Sequence, residues 1–359
     1  MTPFQIIVLA TPVFFALMAL EFGVGRARGR AGYRLHDMLT SVGLGMLSQL
    51  VGLFTRLLNI GLYTLVFEHL AWFEWRVGSP WTWVGALLLY DLCYYWLHRA
   101  GHRVGLLWAA HAVHHQSEDY NLSTALRQTG SGWIASWLFY LPMAVLGVPP
   151  LVFATVALVD LLYQFWVHTE QIGSLGWFDR WFCSPANHRV NHAVNDRYVD
   201  KNYGGILILW DRLFGSFEAE DKAEPPVYGT RTPLRSFNPL WANLVVYADL
   251  ARDAWRTRRW PDKLKVWWAP PGWRPADVAA LDPKPAFELA AVRRFDPPMR
   301  RWQQGLATFL FGLALAGTSS LLWQAHRLEP AWLALGSAAV AGALVAMGAL
   351  CQGRPAAAE

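Results

Sequence analysis

Residues 81–102 read Trp81-Thr-Trp-Val-Gly-Ala-Leu-Leu-Leu-Tyr-Asp-Leu-Cys-Tyr-Tyr-Trp-Leu97-His98-Arg-Ala-Gly-His102. A nearly unbroken apolar run passes directly into two imidazoles spaced four apart. A helix that crosses the hydrocarbon core of a bilayer needs about 20 mainly apolar residues, with a range of roughly 17–25. Trp81–Leu97 therefore predicts a span, and its end carries two histidines on one helical face. A membrane helix that opens onto a polar, metal-competent surface is the pattern from which the rest of the chain is read.

The composition agrees. Of the 359 residues, 54% are hydrophobic and only 16% charged, against roughly 25% charged in an ordinary soluble domain. Trp, of which there are 21, collects where an apolar ring with one polar N–H meets a membrane interface. Further spans are predicted at Phe4–Leu20, Met38–Phe67, Leu306–Trp323 and Ala331–Leu350, together with a hairpin of Trp133–Leu146 and Leu151–Val167 around Gly147-Val148-Pro149-Pro150. The first arm of that hairpin is short enough to dip without crossing. No basic residue precedes Phe4 and Arg residues follow Leu20, which reads as a retained anchor and not a cleaved signal peptide.

Basic residues in short loops set orientation. Arg26, Arg28, Arg30 and Arg34 place the first loop in the cytoplasm, and on the same count the segments after Leu97 and after Val167 are cytoplasmic. The net charge of +5 is dispersed and not gathered in a stripe, which argues against nucleic acid as a partner and leaves anionic lipid headgroups. Cys93, Cys183 and Cys351 are odd in number and widely separated, so neither a disulfide framework nor a thiolate metal site is indicated. A strong preference for Arg over Lys suggests a GC-rich genome and hence a bacterial inner membrane.

Eight of the 11 His fall within residues 98–192: His98 and His102, then His111, His114 and His115, then His168, then His188 and His192. The pairs at spacing four each aim two imidazoles at one point, and all lie at or beyond the cytoplasmic ends of predicted spans. His36, His69 and His326 read as structural. Imidazole suits Zn, Cu, Fe and Ni, and eight nitrogens exceed the needs of one tetrahedral ion, so two metals with open positions are expected. Open positions on a redox metal beside a bilayer point to O₂ activation and attack on a lipid C–H bond.

These boxes resemble the fatty acid hydroxylase/sterol desaturase superfamily of membrane non-haem diiron enzymes. The stretches Ser117–Gln128, Leu162–Glu170, Asp200–Gly205 and Trp210–Phe217 resemble its alkylglycerol monooxygenase branch. The resemblance implies an all-α integral-membrane bundle with a cytoplasmic histidine-rich cap that binds a dimetal centre, two Fe held by His98, His102, His111, His114, His115, His168, His188 and His192. It also implies an external electron donor, a reduced pterin or a redox protein. In the last box the middle position is Asn191 where the family pattern has His; it binds metal through its carboxamide oxygen or a water, or leaves one metal with fewer ligands. Partners for the outward-facing ring nitrogens are expected among Asp91, Asp160, Gln164, Glu118, Glu170 and Asn191, with Asp119 and Asp196 as weaker choices.

The chain is accordingly divided into an N-terminal transmembrane region (1–79), a fatty acid hydroxylase-like catalytic domain (80–220), a Pro/Trp-rich interfacial cytoplasmic segment (221–302), a C-terminal transmembrane pair (303–352) and a tail (353–359). The activity expected is lipid hydroxylation with O₂. A desaturase of the same superfamily is the alternative, and a non-catalytic metal-binding membrane protein is the reading from another class. The sequence leaves the lipid and the oligomeric state open.

Overall fold

The computed structural model describes residues 2–30 and 32–353; the predicted tail beyond Gly353 lies outside them. Among the described residues there is no β-strand, only two isolated bridges, Phe182 with Leu207 and Ala193 with Tyr228.

Helix α1 covers Pro3–Ala27 and α2 covers Leu35–Leu70. At about 1.5 Å per residue, α2 is about 54 Å long, well beyond a hydrocarbon core of about 30 Å. Helix α3 (Pro80–Arg103) contains the quoted span, and α4 (Gly105–His115) follows it after a single residue, Val104. Short α5 (Leu122–Ala125) and α6 (Leu141–Val145) lead to α7 (Pro150–Trp166). The cap continues with α8 (Pro185–Asn191) and α9 (Leu209–Leu213), and then α10 (Pro239–Arg256), α11 (Trp260–Trp268) and α12 (Ala276–Leu281). Helices α13 (Arg301–Gln324) and α14 (Pro330–Cys351) form the C-terminal pair.

Four of the described helices are long and apolar enough to cross a membrane: Pro3–Ala27, Leu35–Thr55, Arg301–Gln324 and Pro330–Cys351. The chain is a multi-pass membrane protein. Helix α3 has the length, at 24 residues, but its Tyr residues, Asp91 and histidine end make it a polar-rich inner helix. Helix α7, at 17 residues, is at the lower limit of a span. The predicted arm Trp133–Leu146 does not form one helix. Gly132–Ile134 and Ser136–Tyr140 are separate 3₁₀ turns and only Leu141–Val145 is α-helical; Gly130 and Gly132 lower helix propensity just before the arm, and Pro142 suits the first turn of a helix but not its interior.

One core joins α1, α2, α7, α13 and α14 through Met18, Leu39, Met46, Phe165, Phe311 and Leu344. A second joins α2, α3, α6 and α7 through Tyr63, Tyr90, Tyr140, Met143 and Val156. Large apolar side chains face outward along the spans, among them Leu20, Phe309 and Leu335, each more than half exposed. In water such a surface is unfavourable, whereas in lipid it is solvated.

The first loop is tied to the cap. Arg28 donates to the Gln171 carbonyl at 2.7 Å, and Arg34 pairs with Asp119 at 2.9 Å. The basic loop and the histidine-bearing segments thus share one side of the molecule. Segment 221–302 folds back over α4: Gly105 N donates to Ala269 O at 2.9 Å and Gln116 Nε2 to Ala242 O at 3.0 Å.

Candidate metal centre

Helices α3 and α4 form a tight corner that turns His98, His102, His111 and His115 toward one point. Gly101 makes the close approach feasible, because a Cβ there would lie 3.3 Å from the His111 ring. On the other face of α4, His114 meets His168, just past α7, and His188 and His192 from α8 and its end. The eight histidines thereby form two quartets, His98/His102/His111/His115 and His114/His168/His188/His192, each with its ligand-capable nitrogens within 4.8 Å of one another. The quartets touch, since the His115 and His192 rings stack at 4.2 Å.

The nitrogens are arranged for a cation. His98 Nδ1 faces Tyr203 O at 2.9 Å, His114 Nδ1 faces Arg127 O at 2.9 Å and His168 Nδ1 faces Gln164 O at 2.8 Å. A carbonyl only accepts, so in each ring the proton sits on Nδ1 and the lone pair on Nε2. Yet His114 Nε2 and His168 Nε2 are 3.0 Å apart, which places two lone pairs against each other. The same spacing continues from His168 to His188 at 3.1 Å and from His188 to His192 at 3.2 Å, and recurs between His111 and His115 at 2.9 Å. Two nitrogens bound to one metal at about 2.0–2.1 Å lie about 2.9–3.4 Å apart for right-angle to tetrahedral bonding. His98 Nε2 is buried with no protein partner. The donor set fits metal ions, and lone pairs this close are otherwise repulsive. Burial, reinforced by neighbouring imidazoles, pushes His111, His115, His188 and His192 well below the ordinary value of 6.5, which keeps them neutral at physiological pH, the form in which an imidazole can bind a metal.

The ring partners that the sequence suggested are placed differently. Among the described residues no carboxylate holds a ring nitrogen of the eight, and three main-chain carbonyls do. Asp91 instead accepts from Ile206 N at 2.7 Å, Leu207 N at 3.0 Å and Trp210 Nε1 at 2.8 Å, anchoring the loop that carries Tyr203. Gln164 contributes its main-chain oxygen to His168, while its side chain bonds Asp160. Glu118 accepts from Phe295 N, and Glu170 from Tyr228 OH at 3.1 Å. Tyr228 stacks on Tyr120, which stacks on His168, so Glu170 is separated from the quartet by two rings. Asp119 is engaged by Arg34, and Asp196 by Arg231. Asn191 lies beside the first quartet, its Nδ2 3.5 Å from His102 Nε2 and donating to Lys201 O at 3.1 Å, with Oδ1 buried and lacking a protein partner. Main-chain carbonyls have no side-chain signature, so Tyr203 and Arg127 carried no signal. Asp211, beside Tyr203, accepts from Tyr203 N at 2.8 Å and Gly204 N at 2.7 Å; burial raises its carboxyl to about 6.

A cavity of about 380 Å³ reaches His98, His111, His114 and His168. Its other walls are chiefly apolar, with Ile6 and Phe14 from α1, Leu161 and Phe165 from α7, and Leu315 from α13. Tyr94 belongs to this wall, whereas Tyr95 is fully buried and bonded to Ser216 at 2.8 Å and Trp96 faces outward. The arrangement can hold an aliphatic chain with one end against the histidine nitrogens.

Residues 83–216 match the family model described as fatty acid hydroxylase. The chain is 43% identical to a human alkylglycerol monooxygenase over 267 residues, 74% of this chain and 59% of that protein. It is 37% identical to an alkylglycerol monooxygenase from Danio rerio over 352 residues, 98% of this chain and 78% of that protein. A Delta(7)-sterol 5(6)-desaturase from Aspergillus fumigatus is 24% identical over 183 residues, 44% of this chain and 56% of that protein. No solved structure matches. The doubled histidine quartet, the apolar cavity that reaches it and similarity to the Danio rerio protein along 98% of this chain agree, and the chain belongs to the fatty acid hydroxylase family, in its alkylglycerol monooxygenase branch.

Proposed function

We propose that this chain is an O₂-dependent membrane monooxygenase that hydroxylates a lipid. The observation that carries the reading is the cavity: four of the eight histidines form one end of a chamber otherwise built from lipid-facing helices. Both the family and the quartets are consistent with an iron centre. We infer two irons, one in each quartet, with all eight histidines as ligands and Asn191 beside the first.

Bound iron supplies redox activation of O₂. The protein's part is to hold the imidazoles neutral, to fix three of them by main-chain carbonyls and to admit an alkyl chain while excluding bulk water. The balanced conversion is RH + O₂ + 2e⁻ + 2H⁺ → ROH + H₂O, with the electrons from an external donor, a reduced pterin or a redox protein. If the carbon attacked adjoins an ether oxygen, as an alkylglycerol substrate would offer, the hydroxylated product breaks down to an aldehyde and the free alcohol. We place the cap in the cytoplasm on the evidence of the Arg-rich first loop and, from the Arg bias, in a bacterial inner membrane. We also assign Trp255, Trp260 and Leu264, strongly exposed on the segment over α4, to the headgroup layer.

Metal analysis of detergent-purified chain tests the centre: about two irons per chain are expected, and a single zinc with no iron overturns the reading. Lipid mass spectrometry separates hydroxylation, a gain of one oxygen, from desaturation, a loss of two hydrogens; the similarity to a sterol desaturase makes the second outcome the specific competitor. A transporter would place its ligands along a path through the spans, whereas these gather in one cap at the helix ends.

A further inference from the structure

One polar group in the cavity wall is not needed by the metal centre. Gln164 lies on α7 one turn before His168 and orients that ring with its main-chain oxygen alone, at 2.8 Å. Its side chain is held independently. Nε2 donates to Asp160 Oδ2 at 2.5 Å, and Oε1 accepts from Tyr94 OH at 2.7 Å. Because a carboxylate only accepts, the amide nitrogen faces Asp160, and the amide oxygen is left to accept from the Tyr94 hydroxyl. Asp160 is only 2% exposed, and an acid within a span is unfavourable unless it does something specific. Here it sets the amide.

A primary amide has two N–H donors. One is engaged by Asp160, and the other has no partner among the described residues. Gln164 and Tyr94 both line the cavity, close to the histidines, among walls that are otherwise chiefly apolar. We propose that Gln164, locked by Asp160 and Tyr94, is the specificity-determining contact for an oxygen atom of the lipid. Its second N–H donates to an ether, ester or hydroxyl oxygen, and so holds the neighbouring carbon in the part of the cavity that His168 also lines. Asp160 and Tyr94 are positioning residues that act through this amide. The consequence is a preference for lipids that carry an oxygen near the carbon to be oxidised, over chains of equal length that lack it. The inference rests on the lipid-oxygenase reading and names the substrate feature which that site selects.

Equilibrium binding to the full-length, detergent-purified chain tests it, with hexadecyl glyceryl ether and the analogue in which CH₂ replaces the ether oxygen. The quantity read is the ratio of the two affinities, which a merely structural defect would not change. In the parent the ether should bind about tenfold tighter, as one hydrogen bond within the cavity allows. In Gln164→Leu the ratio should fall to nearly one. Tyr94→Phe, which keeps the ring and removes the hydroxyl that fixes the amide, should lower the ratio partway, and it carries the same test if Gln164→Leu does not fold. A ratio near one in the parent, or an unchanged ratio in the variants while both lipids still bind, overturns the role of Gln164 and leaves the oxygenase reading standing. If neither lipid binds the parent, both fail.

Discussion

The two histidine quartets lie side by side but are assembled by different means. His98, His102, His111 and His115 all come from one corner between α3 and α4, so their convergence needs only helical periodicity and a sharp turn. His114, His168, His188 and His192 come from three elements spread over residues 114–192 and meet only because α4, the end of α7 and α8 pack together. The first quartet is a local structure; the second is a tertiary one. Closing the longer loop is entropically unfavourable until long-range contacts offset it, so the second quartet should depend more on its metal and on the cap around it.

The strongest way to break this contrast is to remove one ligand from each side. His111→Ala and His188→Ala should each lower iron from about two to about one per chain and reduce oxygen uptake by more than about 100-fold, beyond the 10–100-fold typical of an outer-shell loss. Metal analysis together with oxygen consumption reads both quantities. Loss of both irons from either single variant would mean that the quartets are one indivisible site.

Chelation sharpens the same point. With iron removed, hydrogen exchange at residues 185–192 should rise about tenfold or more, because α8 is held in part by the ions that its histidines share with distant elements. Residues 105–115 should change much less, since α4 stays packed beneath α10 and α11. Equal deprotection of both stretches would remove the distinction.

Even the local quartet leans on a distant loop, through Tyr203 O on His98. Gly205 gives that loop its room: a Cβ there would lie 2.7 Å from Asp160 Oδ1, 2.8 Å from the Tyr94 ring and 2.9 Å from Asp91 Oδ1. Gly205→Ala should destabilise the protein by about 1–3 kcal/mol, the usual range for overpacking, and a thermal melt in detergent would show it. Asp211→Asn should have a smaller effect, about 1 kcal/mol, because one of the two main-chain N–H groups loses its acceptor; iron retention under mild chelation should weaken first in the His98 quartet. If that variant instead releases iron from the His168 quartet, the assigned path through Tyr203 is wrong.

Much of this was legible beforehand because it is periodic. Spacing four on a helix announces paired imidazoles, and long apolar runs announce α1, α13 and α14, with α14 within one residue of its observed limits and with α1 and α13 extending past their runs at the polar end. The start of α3 was visible for the same reason, while its last turns, which carry His98 and His102, run past the apolar stretch to Arg103. What was not legible has no periodicity. Trp133–Leu146 is apolar enough to suggest a helix, but Gly132 just before it and Pro142 within it leave 3₁₀ turns and one short α-helix. Asp91 lies on nearly the same face as His98, and yet its carboxylate faces the 206–210 loop, which packs there from more than 100 residues away. The ring partners are main-chain oxygens, which every residue possesses.

The amino-acid sequence by itself determined that the chain lives in a bilayer, that eight histidines gather in one stretch and that most of them sit at helical spacing, because composition and helical spacing are properties of short segments. Only the tertiary structure decided how eight become two fours, which carbonyls orient them, and that a cavity from α1, α7 and α13 ends at their nitrogens. Those features arise from contacts between elements far apart in the chain, and nothing in the local free energy of any one helix specifies them.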